Sequence, residues 1–274
     1  MITFESVTYT YPSGVTALKD INIQIKDGEL IAIVGENGAG KTTLIRHING
    51  LLKPSVGRVL VDGLDTRKVS VAELSRKVGI VFQNPDHQLF SESVEDEIKF
   101  GLRNFGFTED VIKRRVEWAL KFFDLEDYRR SSPFILSGGE KKRLCLAVVL
   151  AWDPKVLILD EPTVGQDFIQ KERLGQIIKM LLTQNKTVII VSHDIEFIWP
   201  LQPRMIIMSK GRIIADSLSE EVFHNNSLIK EAHLIKPQLV ELYERLRVRP
   251  EKPFPNVYEA RAWFINNLRG LRGR

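Results

Sequence analysis

The chain has 274 residues, of which 43% are hydrophobic and 27% charged, and a net charge of +4 (39 basic against 35 acidic side chains). At about 100–200 residues per domain this is one large or two modest domains, and the composition excludes wholesale disorder and collagen-like fibre. The longest apolar run, residues 144–152, falls far short of the ~20 residues that a membrane span needs.

The opening Met1-Ile2-Thr3-Phe4 reads as strand and not as a secretion leader. Alternating apolar and polar residues over 2–8, 18–25 and 57–62 predict strands with one wet face. Residues 30–34 are continuously apolar, the pattern of a strand buried on both faces. An amphipathic helix is predicted over 42–49, closing at Gly50. Further buried strands are predicted at 78–83, 156–160 and 187–192, and a hairpin pairs 204–208 with 212–215 across Ser209-Lys210-Gly211.

Between 93 and 152 the apolar residues follow helical spacing, as in Val111, Val116, Leu120 and Phe123, which predicts a helical insertion in an α/β core. The single cysteine, Cys145, lies in this block's apolar run and reads as a small buried hydrophobe, in keeping with a reducing compartment. After Asp216 the chain turns helical again. Leu239, Leu242, Tyr243 and Leu246 form one apolar stripe, Pro250, Pro253 and Pro255 break that helix, and Asn256 with Glu259 starts another through Val257, Ala260, Phe264 and Leu268. Residues 241–274 hold eight basic and four acidic side chains and carry the whole surplus charge. Four surplus charges are no nucleic-acid footprint, so no direct nucleic-acid partner is expected.

Gly35-Glu36-Asn37-Gly38-Ala39-Gly40-Lys41-Thr42 matches G-x-x-x-x-G-K-[ST] between a buried strand and a helix. The glycines at 35, 38 and 40 let successive N–H groups converge on a phosphate, and the helix N-terminus adds partial positive charge. Lys41 is placed to reach the β- and γ-phosphates of a nucleotide, and the Thr42 hydroxyl to ligate Mg²⁺. Asn37 and Thr43 complete the expected nucleotide-binding stretch.

A second cluster sits at strand ends. The strand 156–160 terminates in Asp160-Glu161-Pro162. A carboxylate there is costly unless paired or metal-bound, which makes Asp160 a candidate direct or indirect partner of Mg²⁺. Glu161, one residue on, is the candidate to polarise a water for attack on the γ-phosphate. His193 and Gln83 also follow strands, and ligands of open α/β sheets gather at that carboxyl edge.

Leu136-Ser137-Gly138-Gly139-Glu140 precedes a helix over 141–152. Ser137 and Glu140 form a capping box that needs no ligand. Two consecutive glycines are not needed for capping, and they leave the N–H groups of the helix start open as a second anion site. One nucleotide hardly needs two such sites in one chain. The economical answer is that two chains share each nucleotide.

These residues resemble the ATP-binding-cassette (ABC) ATPases, with residues 136–140 similar to their LSGGQ-type signature. The resemblance spans residues 1 to about 225. It implies an α/β P-loop NTPase fold: a RecA-like core, an antiparallel β-subdomain and an inserted helical subdomain over about 86–152. It makes Tyr11 the aromatic on adenine, with Tyr9 as a rival, and Gln83 the lid glutamine on Mg²⁺ or water. It makes Glu161 the catalytic carboxylate, 164–167 the D-loop and His193 the switch histidine. ATP and Mg²⁺ are the implied ligands. The implied assembly is a head-to-tail dimer, each ATP held by Lys41 of one chain and Ser137, Gly138, Gly139 and Glu140 of the other.

A narrower resemblance lies in Gln83-Asn84-Pro85-Asp86-His87-Gln88-Leu89-Phe90, similar to energy-coupling-factor (ECF) transporter ATPases, including the cobalt and nickel branch. That family carries a helical C-terminal extension that helps hold the dimer, a role 226–274 is expected to fill. The implied function is the energy-coupling ATPase of a vitamin or metal-ion importer. It would work peripherally on the cytoplasmic face with a second cassette, identical or paralogous, a transmembrane coupling subunit and a substrate-binding membrane subunit. The alternatives are an ordinary ABC importer ATPase, a soluble ABC ATPase acting on ribosome or DNA, and a P-loop kinase. The chain departs from the family in two places: Gln166 stands where Leu is usual, and the signature ends Glu140-Lys141-Lys142-Arg143 rather than in glutamines.

Overall fold

Two sheets organise the chain, and the hydrophobic patterning decides which strands join which. The computed structural model describes residues 1–246, 254 and 256–271, with 267–271 as backbone only. Pro250, Pro253, Pro255 and the Leu268 side chain lie outside the described residues.

The alternating segments build an antiparallel sheet from β1 (Ile2–Thr10), β2 (Thr16–Ile25), β4 (Val56–Val61) and the short β5 (Leu64–Asp65), in the order β2-β1-β4-β5. Its apolar face, including Phe4, Leu18, Ile23 and Val59, is buried against β3 (Leu30–Gly35) and α1 (Lys41–Ile48). The second sheet has the order β10-β9-β3-β8-β7-β6, formed by β6 (Val78–Val81), β7 (Val156–Asp160), β8 (Thr187–Val191), β9 (Arg204–Ser209) and β10 (Arg212–Leu218). Five of these strands run parallel, and β10 returns antiparallel on β9. Parallel ladders need cover on both faces, which is why β7 and β8 are buried at every residue.

Strand β6 stops at Val81, two residues short of the expected end. The Phe82 N–H leaves the ladder and donates to Gln88 Oε1 at 3.3 Å, so Gln83 stands in the loop beyond the strand. The Asn84 side chain then accepts from the Asp86 N–H at 3.0 Å, fixing a short turn.

Helices α3 (Val94–Asn104), α4 (Glu109–Phe122) and α5 (Gly138–Ala151) pack around Ile98, Val116, Leu120, Phe123 and Leu144. A Cβ on Gly79 of β6 would meet Val149 Cγ1 at 2.4 Å, so this glycine is what lets α5 lie close on the sheet. Cys145, on the buried side of α5, has its thiol pushed up to about 12 by burial. Three helices, α2 (Val71–Ser75), α6 (Phe168–Thr183) and the short α7 (Ile195–Ile198), add to those expected.

After β8 come α7 (Ile195–Ile198), and beyond β10 α8 (Ser219–His224), α9 (Asn226–Glu231), α10 (Gln238–Leu246) and α11 (Val257–Leu271). Ile229, Ala232 and Val240 join Trp199 and Phe223 in one core, and Trp199 Nε1–H donates to the Phe254 carbonyl at 2.9 Å. The expected stripe on α10 is therefore divided. Tyr243 is buried, but Leu242 and Leu246 are 38% and 51% exposed, and Val240 is what the helix buries instead. Asn256 caps α11 through the Glu259 N–H at 3.0 Å, as expected.

Candidate nucleotide site

Because β3, β6, β7, β8 and β9 share one direction, the loops that leave them converge at one edge. There a cleft of about 880 Å³ opens, walled by Tyr11, Asn37, Gly38, Gly40, Lys41, Thr42, Thr43, Gln83, Asp160, Glu161 and His193, among others. Eleven candidates drawn from residues 11–193 are thus brought together. Gly35 lies just behind them, at φ 142° with no room for a Cβ, which would fall 2.0 Å from the Met208 carbonyl oxygen.

The loop is held ready for an anion. Gly40 caps α1 in a left-handed conformation (φ 102°), and a Cβ there would strike the Ala17 carbonyl oxygen at 2.6 Å. No acidic side chain occupies the first turn of α1, so its N–H groups and positive end remain unopposed. The Lys41 ammonium donates to the carbonyls of Gly35 at 2.7 Å and Glu36 at 2.9 Å. Burial lowers its pKa, against the pull of Glu161 and Asp160.

At the end of β7, Thr42 Oγ1–H donates to Asp160 Oδ2 at 3.4 Å, while Asp160 Oδ1 is buried without a hydrogen-bond partner. Burial and the adjacent Glu161 raise the Asp160 pKa. Among the described residues no cluster of three His, Cys, Asp or Glu forms a ready metal cage. An orphaned carboxylate oxygen beside a threonine hydroxyl suits Mg²⁺, which takes one or two carboxylates and completes its shell with phosphate and water. Glu161 is buried at φ 48°, and its Oε1 lies 3.2 Å from His193 Nε2 while its Oε2 accepts from the His193 N–H at 3.3 Å. That ring nitrogen is also 3.2 Å from Lys41 Nζ. It can accept from the ammonium or donate to the carboxylate, not both at once.

The two tyrosines part company. Tyr11 lines the cleft with its hydroxyl 2.8 Å from Thr43 Oγ1, whereas Tyr9 stands behind, edge-on to both Tyr11 and His47.

Ser137, Gly138, Gly139 and Glu140 are not in this cleft. Ser137 Oγ accepts from the Glu140 N–H at 3.4 Å, and Glu140 Oε2 accepts from the Ser137 N–H at 2.7 Å, closing the capping box on α5. The Glu140 carboxylate is held below its ordinary pKa by Tyr128 first and by Ser137. Ser137 and Gly138 are exposed, and a Cβ on Gly138 would meet nothing within 4 Å. The Ser137-Gly138 end of the turn faces away from its own chain.

A family profile described as ABC transporter matches residues 18–164, more than half of the chain. The chain belongs to the ABC transporter family. This ABC ATPase is 41% identical to the energy-coupling factor transporter ATP-binding protein EcfA2 of Clostridium tetani, over 94% of this chain and 92% of that protein. Among solved structures it resembles cbiO1 of Clostridium perfringens, described as part of the ABC transporter complex cbiONQ, with 40% identity, a TM-score of 0.74 and 89% and 98% of the two chains covered. The ATP-binding cassette MJ0796, solved as a dimer after hydrolysis with ADP and Pi, is similar at 31% identity and TM-score 0.73 over 80% of this chain and 98% of that one. Hydrolysis of ATP in a transporter, in an energy-coupling role, is thus the activity of this ABC ATPase.

Some residues that bear on the site carry no sequence signal of their own. Arg46, one turn along α1 from Thr42, helps to offset the raised pKa of Asp160, and Lys210, at the hairpin turn, lines the cleft. Lys142 reaches the Glu161 carbonyl from α5, a contact across 19 residues of sequence.

Proposed function

We propose that this ABC ATPase drives an ECF-type importer for a micronutrient, a vitamin or transition-metal ion. It would act at the cytoplasmic face of the membrane, paired head-to-tail with an identical or paralogous cassette and docked on separate coupling and substrate-binding subunits. The relatives named as energy-coupling factor and cbiONQ components support the importer class. Among the described residues no helix is long and apolar enough to cross a membrane, in keeping with transport through other polypeptides.

One observation carries the pairing: Ser137 and Gly138, at the capped, glycine-rich start of α5, are exposed and stand outside the cleft that the phosphate loop, Gln83, Asp160, Glu161 and His193 share. A partner's Ser137, Gly138 and Gly139 would close over the phosphates that Lys41 and the loop amides hold from below, with Glu140 keeping that turn capped. Tyr11 would stack on adenine, with Asn37, Gly38, Gly40 and Thr43 lining the phosphates. Thr42, Asp160 and Gln83 would hold Mg²⁺, which neutralises charge on the β- and γ-phosphates. Glu161 would take the proton of the attacking water as its oxygen bonds to the γ-phosphorus. The bond to the bridging oxygen breaks, and ADP leaves with that electron pair. His193 would orient the γ-phosphate side of the cleft.

In this reading residues 1–225 are the cassette, with its helical part near 86–152, and 226–274 are an extension that contributes to pairing. The test combines Asn37→Cys with Ser137→Cys in one chain bearing Glu161→Gln. Chain-to-chain disulfides that form only with ATP are expected, and crosslinks confined within single chains would refute the pairing. Purification from detergent-solubilised membranes should bring down membrane subunits, and their absence would refute the importer.

A further inference from the structure

The loop that carries Glu161 is held from two directions. Its N–H donates to the Val191 carbonyl of β8 at 2.8 Å. From the other side the Lys142 ammonium donates to the carbonyls of Glu161 at 3.4 Å and Pro162 at 3.5 Å, and to that of Val164. All three acceptors that the Lys142 ammonium reaches here are main-chain carbonyls. A lysine at the surface would ordinarily keep its ammonium in water. Instead it is half-buried, and burial lowers its pKa. Glu161 itself sits at φ 48°, a conformation that is unfavourable for a non-glycine residue and persists only where the surroundings impose it.

Lys142 belongs to α5, five residues beyond Ser137, so the exposed turn and the ammonium ride on the same rigid stretch of helix. Gln166 of the following loop stands near this turn: its Nε2, buried without a hydrogen-bond partner, would be 4.0 Å from a Cβ built on Gly139. The 137–139 turn and the backbone of Glu161 are thus joined through α5 and the Lys142 side chain.

We propose that Lys142 is a positioning residue that couples occupation of the 137–139 turn by one nucleotide to alignment of Glu161 for the other, so that the two sites of a pair fire together. This rests on the shared-site reading given above. Lysine is suited to the task because its three donors can span three carbonyls, where a glutamine amide offers two.

The test compares Lys142→Met and Lys142→Gln in the full chain. Misplacing a catalytic group by about 1 Å can cost on the order of 10²-fold in rate. Lys142→Met should therefore lose about 10- to 100-fold in kcat, with KM for ATP within about twofold of wild type. The Hill coefficient for ATP should fall to about 1 from a value above 1 in wild type. Lys142→Gln should recover most of both. In a Glu161→Gln background, Lys142→Met should still pair on ATP at an unchanged half-saturating concentration. Wild-type kcat and Hill coefficient in Lys142→Met would overturn the proposal, as would a non-cooperative wild type. Loss of ATP-driven pairing together with melting temperature would also overturn it, by showing a merely structural lysine. Failure of the unmodified chain to pair on ATP at all would overturn the shared-site reading instead.

Discussion

The Lys41 ammonium and His193 Nε2 stand 3.2 Å apart across the floor of the cleft. With the same ammonium bound to the Gly35 and Glu36 carbonyls, the cleft keeps its principal cation satisfied by neutral partners. A phosphate offers a charge-assisted bond in exchange, which is stronger than those it replaces.

Lys41→Ala should therefore weaken ATP binding by about 1.5–3 kcal/mol, the span for hydrogen bonds to charged groups. Calorimetric titration with ATP measures it. Affinity within twofold of wild type would show that the backbone amides alone carry the phosphates.

Glu161→Gln keeps the shape of the side chain and removes its basicity. Hydrolysis should fall by at least about 10²-fold, the lower end of what a positioned base contributes. ATP should meanwhile accumulate a closed pair visible by size-exclusion chromatography. Phosphate release at the wild-type rate would assign the proton to another group.

Asp160 links the metal site to stability. Its carboxyl is raised by burial and by Glu161, against Thr42, Arg46 and Lys41. A carboxyl raised on folding binds its proton more tightly in the folded chain. Its contribution is thus most favourable below the unfolded value of 3.8 and declines as pH rises through the folded value, leaving a net cost at neutral pH. Nucleotide-free Asp160→Asn should melt higher than wild type at pH 7, by about 2–4 °C for each kcal/mol relieved, with the gap closing towards pH 4. It should also lose Mg²⁺-dependent hydrolysis. Differential scanning fluorimetry across that range decides, and a lower melting point at pH 7 would contradict the burial argument.

The exposed half of the α10 stripe is the part free to meet a partner. Removing 226–274 wholesale would strip Ile229, Ala232 and Val240 from the core around Trp199, so that truncation confounds pairing with folding. Leu242→Glu with Leu246→Glu leaves that core intact. Nucleotide-free association, followed by light scattering, should weaken by at least about tenfold, given roughly 1.5–3 kcal/mol for each buried leucine. Unchanged association would leave those leucines as ordinary surface.

How much of this was legible in the sequence follows from the range of the interactions. The phosphate loop, the acidic strand end and the capping box are local, and each was readable from consecutive residues. The end of β6 was not, because it depends on a bond from Phe82 to Gln88 that diverts the ladder. Nor was the sorting of the α10 stripe, since Trp199 and Phe223 decide which side is covered. The lysine at 142 looks like a trivial exchange for glutamine in the sequence. Its contacts to 161–164 exist only once α5 lies across β7's end.

The register of β7 against β8 pairs Leu159 with Ile190 and Asp160 with Val191. Successive residues of a strand point to opposite faces, so deleting a single residue from β7 would swing both carboxylates away from Thr42 and His193 together. Lengthening the loops far from the cleft would leave this alignment alone. Evolution can thus reshape the outer contours of such a cassette freely while the frame of its strands stays locked.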